Sequence, residues 1–514
     1  MALDEDLTPL LDSVRTLLER HAATSGESTY LLSARDGRRL SYGEVLARVT
    51  TWRDVLRSND VPTGARIGIL IRDPIDFATA FIAVLYDGSW VAPLDPTIDA
   101  TNVPQFERRT ANLHLDVIVS DRSAPLGVHI PWMVGRDDVE QSSSSTRSTA
   151  PSSGGLILSS SGTTGTPKVM ALTEQQLMHV ATLIANHNRL SPEERGFNPL
   201  PLWHINAEVV GLLATLVAGA SLVLDDRFHR TDFWRLIDEF EASWINAVPA
   251  IISRIATLDE GERVPRRLRF VRSASAPLSP ALMETFESNT GVAIVESYGM
   301  TEAASQICVN PLEGLRKIGS VGLPVGVDLR ITPLDGVTDN AIGETSASAV
   351  GHVEIRGPSV ITQYDARGYE DRFDAEGWLK TGDLGYLDDD GYLFLVGRND
   401  DVINRGGEKI FPREIEDLVI ATPDVVAAVV VGAPDDVFGQ VPVLYVQFEA
   451  ATRSPILDER VNAIIEVLRE NFARSLRPAR IVVVESFPSH ATGKIQRKSL
   501  AQGADSVLLE RDLG

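Results

Sequence analysis

Strand-like runs alternating with helix-length segments constrain this chain more than any other feature. Arg66-Ile67-Gly68-Ile69-Leu70-Ile71 predicts a strand, Asp76 to Leu85 a helix, and Trp90-Val91-Ala92-Pro93-Leu94 another strand. Thr173 with Gln176 forms a capping-box signal for a helix through about Asn186. Ser221–Leu224, Trp244–Val248 and Leu268–Val271 predict further strands. Ser279 and Pro280 predict a helix start, as cap and first-turn proline, and Gly291 its end. Ala293-Ile294-Val295 then returns to the sheet. Such alternation implies an α/β fold with parallel sheets covered by helices on both faces. Sheets of that kind bind ligands at the carboxyl ends of their strands.

The character changes after Arg398. Pro412 predicts a short helix with Ile415, Leu418 and Val419 on one face. Val425–Val431 and Val441–Phe448 predict strands joined by the turn-rich Gly432-Ala433-Pro434-Asp435-Asp436. Val461, Ile464, Ile465, Leu468 and Phe472 recur at helical spacing, and Ile481–Val484 predicts a closing strand. The expected division is a large N-terminal α/β domain, 1–398, and a small mobile α+β domain, 399–514, with its own core.

The 514 residues carry a formal net charge of −23. That balance argues against general nucleic-acid or anionic-membrane binding. A polyanionic ligand would need a local basic pocket. The single cysteine, Cys308, excludes an intrachain disulfide and reads as a packed residue. No apolar run is long enough to span a bilayer, and Met1–Asp6 is acidic rather than signal-like. The expected location is the cytoplasm, and the expected state a monomer or homodimer.

Chemistry concentrates first at Ser159-Ser160-Ser161-Gly162-Thr163-Thr164-Gly165-Thr166-Pro167-Lys168. Glycines let backbone approach an anion, free N–H groups form an anion-binding concavity, and the lysine adds charge. The spacing is not that of a P-loop. The Ser-rich stretch just before it, 141–155, reads as a linker. An apolar strand before the loop and an apolar segment after it make a nucleotide phosphate loop the better reading.

Companion motifs follow in order: Tyr298-Gly299-Met300-Thr301-Glu302, Lys380-Thr381-Gly382-Asp383, Gly397-Arg398-Asn399-Asp400-Asp401, Asn404-Arg405-Gly406-Gly407-Glu408-Lys409-Ile410 and Thr492-Gly493-Lys494-Ile495-Gln496-Arg497. With the first loop they make nearly the whole chain resemble the adenylate-forming superfamily of acyl-CoA synthetases, peptide-synthetase adenylation domains and beetle luciferases. The pattern is most similar to the branch holding oxalyl-CoA synthetase-like and fatty-acyl or aryl-acyl CoA ligases.

The resemblance implies a two-step ligase using ATP, Mg²⁺ and coenzyme A. A carboxylate attacks the α-phosphorus of ATP and expels pyrophosphate; a thiol then attacks the acyl carbon and expels AMP. It implies that Ser161, Gly162, Thr163, Thr164, Gly165 and Lys168 surround the phosphates. Thr301 would donate to the α-phosphate and Glu302 bind Mg²⁺. Tyr298 would lie against adenine, with Ala276, Pro277, Ser297 and Gly299 also around the nucleotide. Asp383 and Arg398 would hold the ribose, and Lys494 would bridge the acyl carboxylate and α-phosphate. Asp400 would be the hinge, Gly407 would let the pantetheine arm pass, and Lys409 would aid adenylation. Asn404 stands where many relatives carry lysine.

Specificity is less legible. His204, in Trp203-His204-Ile205-Asn206, matches a gate beside the acyl tunnel. No aspartate stands there to hold an α-ammonium group. Ser273-Ala274-Ser275-Ala276-Pro277 with Gly299, Ala303 and Ala304 predicts a roomy, mostly neutral pocket. Bulky aryl or medium- to long-chain monocarboxylic acids are therefore expected, and oxalate is disfavoured because Ser305 replaces a histidine. The alternatives are loading of a separate carrier protein, or a catalytically silent acyl-nucleotide binder.

Overall fold

The computed structural model describes residues 11–97, 102–122, 132–134, 154–160, 168–334, 350–365, 369–449, 455–488, 495–501, 503–504 and 506–513. The β-branched runs form two sheets that share one hydrophobic core. The first sheet has the order Trp132–Val134, Val117–Ser120, Arg66–Leu70, Trp90–Pro93, Gly155–Ser160, Lys168–Thr173, parallel except for the last pair. The second runs Leu323–Pro324, Cys308–Val309, Ala293–Tyr298, Phe270–Ser273, Trp244–Ala247, Arg195–Asn198, Ser221–Leu224, Thr29–Ser33, Arg39–Ser41. Its interior is parallel and its edges antiparallel. Helix Pro74–Tyr86 is buried almost all round, the burial expected of a helix lodged in a core rather than on a surface.

Local signals set the helix ends. Thr173 and Gln176 close the expected capping box at the start of Glu174–His187. Ser279 caps Pro280–Thr290, and Gly291 ends it at φ +71°. The expected linker stops before Gly155, which is already in the sheet. A Cβ there would lie 2.0 Å from the Leu172 carbonyl oxygen, so only glycine allows this strand approach.

A third sheet was not foreseen. It is antiparallel, in the order Asp328–Pro333, Gly351–Arg356, Leu379–Leu387, Leu393–Arg398. Lys380–Asp383, which alone would suit a β-turn, lies inside its third strand and pairs Asp383 with Arg398.

The C-terminal part has its own sheet and core. Two local expectations are corrected there. Gly432–Asp435 continues the strand Val425–Asp435, because each residue pairs across to Gly439–Pro442 of strand Gly439–Phe448. Arg480–Val484 does not close the sheet; Val507–Asp512 pairs antiparallel outside it. One 3-10 turn, Asn399–Asp401, joins the third sheet to this part. Across that turn Phe411 packs with Leu384 and Val396, and Arg413 Nη1 donates to the Leu395 carbonyl at 2.9 Å.

Candidate active site

Strand Ala293–Tyr298 leaves the second sheet at a crowded corner. A Cβ on Gly299 would stand 1.7 Å from the Ser305 carbonyl oxygen and 2.9 Å from Gln306 Cα. The corner returns immediately: the Ser305 N–H bonds the Met300 carbonyl at 3.1 Å, and the Ile307 N–H bonds the Tyr298 carbonyl at 2.8 Å. Ala304 and Ser305 are left-handed, at φ +49° and +88°, and Ser275 nearby in sequence to strand Phe270–Ser273 is at +72°. Non-glycine residues adopt such angles at a cost that functional sites often carry. Gly299→Ala is therefore expected to push the Thr301–Gln306 segment aside and lower by ~10²-fold the adenylate formation that the sequence resemblance implies, as small misplacements do. Pyrophosphate exchange measures this; near-normal activity would show that the close approach is unimportant.

Two sheets meet at this corner. The Tyr298 hydroxyl donates to Asp383 Oδ2, joining the second sheet to the third. Arg398 Nη1 lies 3.5 Å from Asp383 Oδ1, and the Thr381 hydroxyl accepts from the Asp383 N–H at 3.0 Å. Burial and the neighbouring carboxylate hold the Tyr298 phenol well above its usual range, so it remains a donor. Asp383 is an acceptor set beside an aromatic ring and a guanidinium, a set of groups suited to a nucleoside.

Glu302, in the turn Thr301–Ala303, is buried and accepts from the Tyr364 hydroxyl at 2.9 Å. Lys168, from the first sheet, places its ammonium 4.9 Å from the Tyr369 ring centre and 5.7 Å from that of Tyr364. Its pKa is lowered by burial and by repulsion from Arg372, partly offset by Glu302. All three sheets thus send charged or hydrogen-bonding groups to one crevice. The Glu302 carboxylate is a hard oxygen donor of the kind Mg²⁺ takes.

Polar groups also gather beside Ser275. Asn206 opens a π-helical segment, Asn206–Leu213, a distortion frequent at functional sites. Asn246 Nδ2 donates to Asn206 Oδ1 at 2.7 Å, and Asn206 Nδ2 contacts the Ser275 hydroxyl at 3.5 Å. His204 Nε2 is buried without a partner, and burial lowers its pKa, keeping the ring neutral near pH 7. Sequence reasoning missed Arg272, which is 0% exposed and donates to Gln306 Oε1 at 2.6 Å. This corrects the expectation that the surroundings of Ser273–Pro277 are neutral. The signal was present: one charged residue in Phe270-Val271-Arg272-Ser273, a strand flanked by others on both sides.

The other expected residues fall as follows. Ala276 and Pro277 are exposed; Ser297 is buried, its hydroxyl on the Ser273 carbonyl at 3.2 Å. Gly407, at φ +96°, and Lys409 lie on the hairpin of Ile403–Arg405 and Glu408–Ile410. Ser161, Gly162, Thr163, Thr164, Gly165 and Lys494 lie outside the described residues. Cys308 is buried, and burial pushes its thiol up, as expected for packing rather than nucleophilic work. Arg480 and Arg497, basic residues of the C-terminal part, are engaged by Glu510 and Glu416. Among the described residues no helix is long and apolar enough to cross a membrane.

Comparison with known proteins shows the family. A family model described as AMP-binding enzyme matches residues 18–365, and one described as AMP-binding enzyme C-terminal domain matches 414–494. The sulfoacetate–CoA ligase of Cupriavidus necator is 31% identical over 96% of this chain and 98% of its own. The oxalate–CoA ligase of Arabidopsis thaliana is 32% identical over 86% of this chain and 89% of its own. The o-succinylbenzoate CoA synthetase of Bacillus subtilis, solved with its acyl-adenylate intermediate, superposes with a TM-score of 0.81 at 26% identity. That match covers 96% of this chain and 99% of the solved one.

Proposed function

This chain belongs to the family of AMP-binding, adenylate-forming enzymes and is an AMP-forming acyl-CoA synthetase, and on that premise we propose how its residues divide the work. The observation that carries the proposal is the convergence of Tyr298, Asp383 and Arg398 with Lys168, Glu302 and Tyr364 in one crevice. Asp383 and Arg398 hold the ribose, Tyr298 lies against adenine while its hydroxyl orients Asp383, and Ala276, Pro277, Ser297 and Gly299 border the base. Thr163, Thr164 and Lys168 take the terminal phosphates. Glu302 would hold Mg²⁺, which would offset phosphate charge when bound. Thr301 donates to the α-phosphate, Lys494 joins carboxylate to phosphate, and His204 borders the acyl path.

We assign the nucleotide and acid sites to 1–398 and the Lys494 and pantetheine-facing elements to 399–514, with Asp400 at the turn between them. The two family matches, which end at 365 and begin at 414, support that division. Coenzyme A is favoured as acceptor over a carrier protein, because full-length relatives are CoA ligases by name. Two of those relatives act on sulfoacetate and oxalate, acids with a second anionic group. The test is pyrophosphate release over a panel of carboxylic acids, with and without CoA. Acid-dependent release, followed by acyl-CoA formation only when CoA is present, is expected. Release with no thioester would point to another acceptor.

Tyr364→Phe probes the metal-facing carboxylate. Loss of the Tyr364–Glu302 hydrogen bond is expected to cost about 1 kcal/mol of stability. With Glu302 less well oriented, KM for MgATP should rise several-fold while kcat changes less. A magnesium titration at fixed ATP checks this; an unchanged magnesium dependence would separate Tyr364 from metal binding.

A further inference from the structure

We infer that Arg272 and Gln306 recognise a second anionic group, a carboxylate or a sulfonate, on the acid that this enzyme activates. The inference deepens the ligase reading above and rests on it. Arg272 is fully buried, and its Nη2 donates to Gln306 Oε1 at 2.6 Å. Among the described residues its Nε and Nη1 have no hydrogen-bond partner, and neither does Gln306 Nε2, in a side chain only 1% exposed. A guanidinium keeps its proton in proteins, so it cannot escape burial by neutralising as a lysine does. A buried cation with open donors is costly unless an anion joins it.

Among the described residues no carboxylate pairs with Arg272. The lowering of the Arg272 pKa, to about 10, has burial as its only cause, with no carboxylate opposing it. Glu208, two residues from Asn206, is also fully buried and unpartnered. Its pKa is raised by burial, with no contribution from Arg272, and burial is likewise the only influence on Arg272, so the two are not paired.

The position of Arg272 fits an acid substrate. Its strand register sets it beside Asn246, whose side chain reaches Asn206, which in turn contacts Ser275. Gln306 directly follows Ser305, at the end of the corner that carries Thr301 and Glu302. Arg272 therefore sits between the two segments that border the acyl group. Guanidinium N–H pairs match the two oxygens of a carboxylate or sulfonate, and Gln306 Nε2 adds a further donor. An acid with an apolar tail would leave these donors unpaired, and sites built to hydrogen-bond a ligand reject analogues that cannot.

The experiment compares sulfoacetate, malonate and oxalate with propionate, butyrate and benzoate, by pyrophosphate release and acyl-CoA formation. In the wild-type enzyme one of the doubly anionic acids should exceed every monoacid in kcat/KM by ~10²-fold or more. Preference among the three separates a sulfonate from a carboxylate as the natural group. Arg272→Met should lower kcat/KM on the preferred acid by ~10²–10³-fold and change monoacid turnover less than about threefold. Its Tm should not fall, since an uncompensated buried charge has been removed. Gln306→Leu, which keeps the arginine, should lose about tenfold on the doubly anionic acid alone. That variant decides the matter if Arg272→Met does not fold. Wild-type preference for monoacids, or equal losses on both classes in the variants, would overturn the anion site while leaving acid–CoA ligation standing. Absence of acyl-CoA from every acid would instead remove the ligase reading.

Discussion

Lys494→Ala is expected to slow acyl-adenylate formation by ~10²–10³-fold while leaving the fold intact. The reasoning starts from charge. Adenylation brings a carboxylate against a phosphate, and both are anions. The cations placed in the crevice by the described residues include Lys168 and Arg398, which face Glu302 and Asp383, and Arg372, which lies near Lys168. They lie on the phosphate and ribose side of the proposed arrangement. A cation between the two reacting groups is proposed to come from elsewhere, from Lys494 in Ala491-Thr492-Gly493-Lys494-Ile495. An ammonium there lowers the barrier only while carboxylate and α-phosphate are meeting. Thioester formation from supplied acyl-adenylate should therefore change much less. Rapid-quench measurement of each half-reaction distinguishes the cases, and equal loss in both would remove Lys494 from its assigned role.

How much of this was legible in the sequence depended on how local each cause was. The parallel strands Arg66–Leu70, Trp244–Ala247 and Ala293–Tyr298 announced themselves because strands covered on both faces are apolar runs. The antiparallel sheet from Asp328 to Arg398 did not. Asp328–Pro333 is half-exposed along most of its length, so no apolar run or clean alternation marks it. Lys380–Asp383 carried turn-forming residues, and only pairing with Gly351–Arg356 and Leu393–Arg398 makes it a strand. Pro434 looked like a turn residue for the same reason, though it pairs with Gln440.

The site divides likewise. Tyr298, Glu302, Asp383 and Arg398 stand in contiguous motifs and were readable. Tyr364 was not, because its hydroxyl finds Glu302 from a segment with no motif of its own. Arg272 was visible as a charge in an apolar run but not as a buried, half-satisfied one. That property depends on Gln306 and on the absence of a counter-ion around it.

Asp400→Pro should separate the half-reactions in the opposite sense to Lys494→Ala. Asp400 is the middle residue of Asn399–Asp401, the single turn that links the third sheet to the C-terminal part. The turn closes through the Val402 N–H on the Asn399 carbonyl at 3.4 Å, a bond that does not use the Asp400 N–H. Proline near the start of such a turn is compatible with its φ of about −60°. The substitution therefore fits the arrangement described here and opposes any other that needs a different φ at this residue. Contacts across the turn, Arg413 to the Leu395 carbonyl and Phe411 against Leu384 and Val396, would be kept. If the C-terminal part must turn about Asp400 to bring Gly407 toward the acyl-adenylate, thioester formation should fall by ~10²-fold or more. Adenylation should change much less. A thioester-forming rate unchanged from wild type would show that the chain does not pivot at Asp400.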